Sequence, residues 1–204
     1  MAIHQLFIIG GMGAGKSTAT KTLTDQGLPR IDLDKLGHEV HKWDTVKEEL
    51  AEAFGADVLD ENGEVIRSAV AERAFVSPRE TRKLNRITMP RIEQLYEERI
   101  AECEAAGHKA VVIEYSAFRN RRGSLANMAD VVIAVLAPLE LRIQRAVAGG
   151  WSEDDVRARI ARQITDADRI DCADVVFNND GTKEELYNRV LTWWNTYKKE
   201  EGLE

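Results

Sequence analysis

The sequence lacks several features that would indicate particular classes of protein. It has only two cysteines, Cys103 and Cys172, which do not form a cluster with the spacing of a metal site. No apolar run approaches the roughly 20 residues that span a membrane, and no signal peptide is recognisable at the N-terminus. The net charge is −7 without a dominant basic stretch, which argues against duplex nucleic acid as a partner. We therefore expect a cytoplasmic protein with reduced cysteines.

The sequence alternates between apolar segments that are typical of strands and segments with a helical pattern. The 204 residues are enough for one α/β domain with an inserted subdomain, and 44% of them are hydrophobic. Apolar, β-branched segments that predict strands lie near residues 3–9, 28–34, 109–114, 130–136 and 173–179. Helical patterns separate most of them, and a last helix is predicted over 182–199. This order predicts an α/β fold with a five-stranded parallel sheet.

One stretch matches a motif with a known mechanism. Residues 10–18 have the sequence Gly-Gly-Met-Gly-Ala-Gly-Lys-Ser-Thr, which fits the phosphate loop G-x-x-x-x-G-K-[ST]. A predicted strand precedes it and a predicted helix over 17–26 follows it, as the motif requires. The glycines allow several backbone N–H groups to surround a phosphate, and the start of the helix adds its positive end.

The loop predicts a site for ATP and Mg²⁺. Lys16 is expected to reach the β- and γ-phosphates, and the Ser17 hydroxyl is expected to bind Mg²⁺. The residues expected to contact the nucleotide are Gly11, Gly13, Ala14, Gly15, Lys16, Ser17 and Thr18. The motif does not identify the group that receives the phosphate.

Acidic residues follow two of the predicted strands. In open parallel sheets ligands bind beyond the carboxyl ends of the strands, so Asp32, Asp34 and Glu114 are expected near the phosphate loop. One of the two aspartates could take a proton from an acceptor hydroxyl and the other could support the Mg²⁺ shell. We favour a functional role for Asp34, although it also fits the N-cap of the next helix. Asp32 and Glu114 are candidates for the Mg²⁺ shell, Glu114 through water. For Glu114 an ordinary acidic strand end is an equal alternative.

Residues 44–110 have a helical pattern and form an insert between two predicted strands. Ser77 and Glu80 predict a capping box at the start of one of these helices, and Pro90 is expected to kink or restart it. An insert at this place in a phosphate-loop kinase is where a second substrate would bind.

The segment after the fourth strand has the composition of a closing lid. A helix over 138–148 carries Arg142 and Arg145, Gly149 and Gly150 interrupt it, and a second helix starts at the cap Ser152. Lid arginines stabilise charge on a transferred phosphoryl group. Other arginines have open alternatives: surface pairing for Arg157 and Arg159, and either anion binding or a solvated face for Arg119, Arg121 and Arg122.

Several further segments occur in a fixed order after the phosphate loop: 25–27, 31–34, 54–55, 62–67, Phe75, 84–87, Gln163 and 173–179. In this order they resemble the dephospho-CoA kinase family over nearly the full length of the chain. The resemblance implies a three-layer P-loop fold in a single domain over 1–204. It also implies a core of about 1–43, 108–137 and 166–204, an acceptor-binding insert of about 44–107, and a lid of about 138–165.

The activity that this resemblance implies is ATP-dependent phosphorylation of the ribose 3′-hydroxyl of dephospho-CoA, the last step of coenzyme A synthesis. Asp34 then corresponds to the general base, Lys16 to the phosphate-holding lysine, and Asn179 to a nucleotide-binding residue. We expect small-molecule partners only, and a monomer or weak homo-oligomer.

The chain departs from the family pattern at three places. Met89 replaces a usual histidine, residues 116–120 replace a conserved loop, and Gly149 replaces a second lid arginine four residues after Arg145. Arg142 is expected to stand in for that arginine. Alternative functions are a kinase for another small acceptor, such as a nucleotide, and a catalytically weakened or non-catalytic ATP-binding homologue. A regulatory GTPase is disfavoured because the chain has no Asn-Lys-x-Asp segment.

Overall fold

The fold was analysed on a computed structural model that describes residues 2–203. Contacts within the chain divide it into two compact units. One unit, here called the sheet unit, contains the residues up to Asp32 and those from Ile100 onward, and the other, the helical unit, is Leu33–Arg99.

The sheet unit is built on five parallel strands, which confirms the predicted sheet. They are β1 (His4–Gly10), β2 (Arg30–Asp32), β3 (Ala110–Glu114), β4 (Val131–Leu136) and β5 (Val175–Asn178). Their order across the sheet is β2-β3-β1-β4-β5. Strands β3 and β4 are almost entirely buried, because helices cover both faces of a parallel sheet, and this explains their continuous apolar sequences.

Nine helices lie among the described residues 2–203. In chain order they are α1 (Lys16–Thr24), α2 (Leu33–Val40), α3 (Asp44–Phe54), α4 (Arg67–Ala74), α5 (Pro78–Ala105), α6 (Leu139–Ala148), α7 (Glu153–Ala161), α8 (Asp166–Cys172) and α9 (Lys183–Glu200). Within the same residues, no helix is long and apolar enough to cross a membrane.

The core of the sheet unit explains why the phosphate loop is so firmly placed. Helices α1 and α9 pack together on the sheet, with Leu23 of α1 and Trp194 of α9 in one cluster with Leu6 and Ile8 of β1. Helix α8 contacts β1 and β4. The result is the three-layer α/β arrangement that the sequence predicts, with α1 anchored along its apolar side.

The helical unit has its own core. Val46, Leu50 and Phe54 of α3 pack with Val70 of α4 and Ile87 of α5. The spacing of the three α3 residues places them on one side of that helix. An isolated antiparallel bridge between residues 59 and 65 closes the turn between α3 and α4.

One local prediction is wrong in this unit, and another is decided in part. Asp34 is not an N-cap, because α2 begins at Leu33 and Asp34 lies within its first turn; a carboxylate there still interacts favourably with the helix dipole. Helix α5 continues from Pro78 to Ala105 without a restart at Pro90, and a kink at that residue stays a prediction. A proline in a helix removes one backbone hydrogen bond, and the remainder of this 28-residue helix offsets that loss.

Candidate active site

The phosphate loop connects β1 to α1 and has a backbone that only glycine accommodates. The φ angles of Gly13 and Gly15 are +73° and +107°, in a region that residues with a side chain rarely adopt. Neighbouring atoms also approach closely, because a Cβ on Gly15 would lie 2.2 Å from Asn179 Nδ2. The glycines are therefore required by both conformation and packing.

The helical end of the loop is a positively charged site. Lys16, Ser17 and Thr18 form the first turn of α1, which contains no acidic residue, so the helix dipole favours an anion there. Lys16 Nζ donates to Gly10 O at 3.0 Å and to Gly11 O at 3.3 Å. The ammonium group thus lies over the loop carbonyls, next to the place where phosphates would bind.

Asn179 fastens the loop from the end of β5. Its side chain is buried, and Nδ2 donates to Ala14 O at 2.8 Å. Its own backbone N–H donates to Leu136 O at 2.6 Å, which fixes the asparagine to the end of β4. The contacts of Asn179 are with the loop itself, and its predicted contact with the nucleotide stays a prediction.

Arg142 and Gln163 hold the loop from the opposite side. Arg142 Nε donates to Met12 O at 2.9 Å, and Gln163 Oε1 accepts from the Met12 N–H at 3.0 Å. Arg142 Nη2 also donates to Gln163 Oε1 at 3.4 Å. A Cβ on Gly11 would lie 1.8 Å from Arg142 Nη2, so the guanidinium lies directly against the loop backbone.

The buried Arg142 charge is balanced by a neighbouring carboxylate. Asp166 Oδ1 lies 3.6 Å from Arg142 Nη1 and 2.6 Å from Arg169 Nη1. Burial lowers the pKa of the Arg142 guanidinium, Asp166 opposes that effect, and Arg169 lowers the pKa further. Arginine remains protonated because its ordinary pKa is so high. The group therefore keeps its positive charge at the phosphate loop.

Arg145 lies one turn further along α6. Its Nη1 donates to Asn179 O at 3.0 Å, and its Nη2 donates to Gly181 O at 3.2 Å. The guanidinium therefore contacts the same segment that fastens the phosphate loop. The structure brings Arg142 to the loop and Arg145 to the segment that holds the loop, and their catalytic roles stay predictions.

The residues predicted for Mg²⁺ lie together in the sheet unit. Asp32 and Glu114 are paired neighbours on β2 and β3. The Arg30 guanidinium bridges them, at 2.7 Å from Asp32 Oδ2 and 2.8 Å from Glu114 Oε2. Thr20 Oγ1, one turn after Ser17 on α1, donates to Glu114 Oε2 at 3.2 Å. Glu114 is therefore fixed beside the helix that begins at the phosphate loop.

No cluster of three or more His, Cys, Asp or Glu residues able to hold a metal occurs in the part of the chain that the structure describes. Such a cluster is not required here, because Mg²⁺ in nucleotide sites takes most of its ligands from phosphates and water. Ser17, Asp32 and Glu114 offer the oxygen atoms that such an ion prefers.

Asp34 belongs to the helical unit. Its side chain is exposed in the first turn of α2, where a substrate can reach it. Its role as general base stays a prediction.

Several arginines outside the loop have structural partners instead. Arg121 donates to Cys172 O at 2.8 Å and pairs with Asp174, so it holds neighbouring segments together and does not present a free charge. Arg157 pairs with Glu153 at 2.8 Å, as predicted. Arg159 does not form the predicted surface pair, since its guanidinium lies 4.4 Å from the centre of the Trp151 ring, a cation–π contact.

Two residues of the site, Gln163 and Thr20, are not among the residues predicted to form it. Gln163 belongs to the family-like pattern, but nothing in its local sequence shows that it accepts a hydrogen bond from Met12. Thr20 follows Ser17 by three residues, a spacing that places the two side chains on one side of α1. That spacing is the signal that would have identified Thr20.

The contacts of Asn179 generate a test. Asn179→Ala removes the donor to Ala14 O and leaves a buried carbonyl unpaired, which costs about 1–3 kcal/mol. We expect a matching loss in the free energy of unfolding and roughly tenfold weaker binding of Mg-ATP, measured by denaturant titration and calorimetry.

The control for this substitution is Asn178→Ala, because the Asn178 side chain is exposed and its removal should change stability by less than about 0.5 kcal/mol. Equal behaviour of the two variants would contradict the role of Asn179 in fastening the loop.

Comparisons with known proteins agree with this geometry. The family model described as dephospho-CoA kinase matches residues 5–185. A dephospho-CoA kinase of Corynebacterium efficiens is 40% identical over 181 residues, which cover 88% of this chain and 90% of that protein. A crystal structure from Thermus thermophilus superposes with a TM-score of 0.84 at 26% identity, covering 97% of this chain and 98% of that chain.

A dephospho-CoA kinase from Campylobacter jejuni shares the fold, with a TM-score of 0.71 at 21% identity over 97% of this chain and 98% of that chain. The family match spans the phosphate loop, the helical unit and the segment that contains Arg142, Gln163 and Asn179. The chain belongs to the dephospho-CoA kinase family.

Proposed function

We propose that this chain transfers the γ-phosphoryl group of ATP to the ribose 3′-hydroxyl of dephospho-CoA, forming coenzyme A and ADP. The observation that carries this proposal is a complete phosphate loop, braced by Asn179 and Arg142, in a chain that matches this family from residue 5 to residue 185. The chain is accordingly a small-molecule kinase, and in such enzymes catalysis consists mainly of positioning and charge stabilisation.

In the ATP site, the phosphate loop and the side chains of Lys16, Arg142 and Arg145 would hold the triphosphate. The backbone N–H groups of the loop and the start of α1 surround the phosphates, and Lys16 exchanges the carbonyls of Gly10 and Gly11 for phosphate oxygens. Arg142 is already at the loop, so we assign to it the charge that the family places at residue 149. Arg145 would reach the transferred group after leaving Asn179 O and Gly181 O.

We also propose a Mg²⁺ site at this end of the sheet. Magnesium, when bound with ATP, neutralises charge on the β- and γ-phosphates. Ser17 Oγ would hold the ion directly, and Asp32 and Glu114 would hold it through water. The Arg30 guanidinium now neutralises both carboxylates, so it competes with a cation for them.

On the acceptor side, Asp34 would act as the general base. Its carboxylate accepts the proton of the 3′-hydroxyl as that oxygen attacks the γ-phosphorus, and the bond between this phosphorus and the β,γ-bridging oxygen breaks. The helices of the surrounding unit would hold the remainder of dephospho-CoA.

We place the enzyme in the cytoplasm as a monomer or weak homo-oligomer. Both cysteines of the chain are free thiols, which is typical of proteins in reducing compartments.

The acceptor assignment is tested by turnover with purified protein. With Mg-ATP, dephospho-CoA should yield ADP and coenzyme A, measured by coupled ADP release and mass spectrometry. Turnover of nucleoside monophosphates without turnover of dephospho-CoA would show that the acceptor is another molecule.

Arg30→Met tests the competition at the metal site. Without the guanidinium, Asp32 and Glu114 face each other as adjacent negative charges, which favours a cation between them. We expect Mn²⁺, used as a paramagnetic substitute for Mg²⁺, to bind the ATP complex several-fold more tightly in an electron paramagnetic resonance titration. Arg122→Met, which removes an exposed arginine, is the control, and unchanged or weaker Mn²⁺ binding by Arg30→Met would refute the competition.

Asp34→Asn tests the general base. The amide keeps the shape of the side chain but does not accept the proton, so kcat should fall about 10²- to 10⁴-fold while ATP affinity is preserved. Asp44→Asn is a matched control, because Asp44 is also an exposed aspartate in the first turn of a helix in the same unit. A change confined to ATP affinity would contradict the assigned role.

A further inference from the structure

The helical unit contains a second group of cationic side chains that the phosphate loop does not explain. A cavity of about 270 Å³ is lined by His38, His41, Lys42, Glu64, Val65 and Arg67. We call it the His38 pocket. Its single carboxylate, Glu64, is paired with Lys47 at 2.8 Å, and Lys47 is also 3.6 Å from Asp44. The pocket therefore has an excess of positive charge and of hydrogen-bond donors.

The contact between Arg67 and His38 sets the hydrogen-bonding roles in the pocket. Arg67 Nη1 lies 2.6 Å from His38 Nε2. A guanidinium group only donates hydrogen bonds, so His38 Nε2 accepts. An incoming anion offers Arg67 a better, charged acceptor.

His41 adds an unsatisfied group to the same wall. Its Nδ1 is buried without a hydrogen-bond partner, although the residue lines the cavity. Burial, followed by the charges of His38 and Arg67, lowers the pKa of His41. An anion in the pocket would oppose these effects and favour the protonated ring.

The position of the pocket along α2 indicates which anion it binds. His38 follows Asp34 by four residues, so the two side chains lie on the same side of the helix, about one turn or 5.4 Å apart. In dephospho-CoA only the ribose atoms C3′, C4′, C5′ and O5′ separate the 3′-oxygen from the 5′-diphosphate. When the 3′-hydroxyl of dephospho-CoA lies at Asp34, its 5′-diphosphate therefore lies close to His38.

We propose that the His38 pocket binds the 5′-diphosphate of dephospho-CoA. This inference rests on the proposed function and names the subsite that orients the acceptor. Arg67 supplies the fixed positive charge, and Lys42 adds an ammonium group from the wall of the pocket. Because a bound anion opposes the lowering of the His41 pKa, dephospho-CoA should bind more tightly at about pH 6 than at about pH 8.

The test is calorimetric titration of dephospho-CoA into the full chain saturated with a non-hydrolysable ATP analogue. Arg67→Met should weaken this binding about 10- to 100-fold, because it removes a charge-assisted contact with phosphate. Arg67→Lys, which keeps the charge, should restore part of the affinity. Binding of the ATP analogue itself, which reports that the protein is folded, should be unchanged in both variants.

Arg79→Met is the matched control, since Arg79 is an exposed arginine of the same unit and its loss should leave dephospho-CoA affinity unchanged. His41→Asn should flatten the dependence of that affinity on pH. Wild-type affinity in Arg67→Met, or an unaltered pH profile in His41→Asn, would overturn the proposal. If the wild type binds the ATP analogue but not dephospho-CoA, the proposed function fails, and the pocket proposal fails with it.

Discussion

The backbone of the phosphate loop is held from two sides by side chains that come from the second half of the chain, of which Asn179 and Arg142 are buried. On one side, Asn179 donates to Ala14 O. On the other side, Arg142 donates to Met12 O, and Gln163 accepts a hydrogen bond from the Met12 N–H. These outside contacts supply the order that an anion site needs before the anion arrives.

The same contacts place a cationic group at the loop. Arg142 is both a support of the loop and a buried cation beside it, and Arg145 holds the segment that carries Asn179. Arg30 pairs with both Asp32 and Glu114, the two carboxylates for which a Mg²⁺ role is proposed. The helical unit contains Asp34 and the His38 pocket, and it has an apolar core of its own.

Local sequence patterns predicted the elements that depend mainly on residues close together in the sequence. The apolar strand, the glycine loop and the following helix are consecutive in sequence, and β1 and α1 appear where they were predicted. The sheet followed from the repetition of such units. Helix ends were less predictable: Asp34 has the chemistry of an N-cap, but α2 begins one residue earlier at Leu33, because a buried leucine can continue a strand or begin a helix.

Long-range contacts were not predictable from pattern. Gln163 is separated from Met12 by 151 residues, and only the folded sheet brings them together. The same applies to Arg121, for which the sequence left anion binding and a solvated face open, and whose partners are Cys172 and Asp174. Arg159 was expected to form an ion pair, and the side chain of Trp151 provides a different partner. In each case the residue type was informative and the partner was decided by tertiary structure.

The account depends on the phosphate loop being a preorganised site for a triphosphate. The most direct measurement is calorimetric titration of Mg-ATP into the purified wild-type chain. The account predicts saturable binding at a single site. The absence of any binding of Mg-ATP to the folded protein would contradict it.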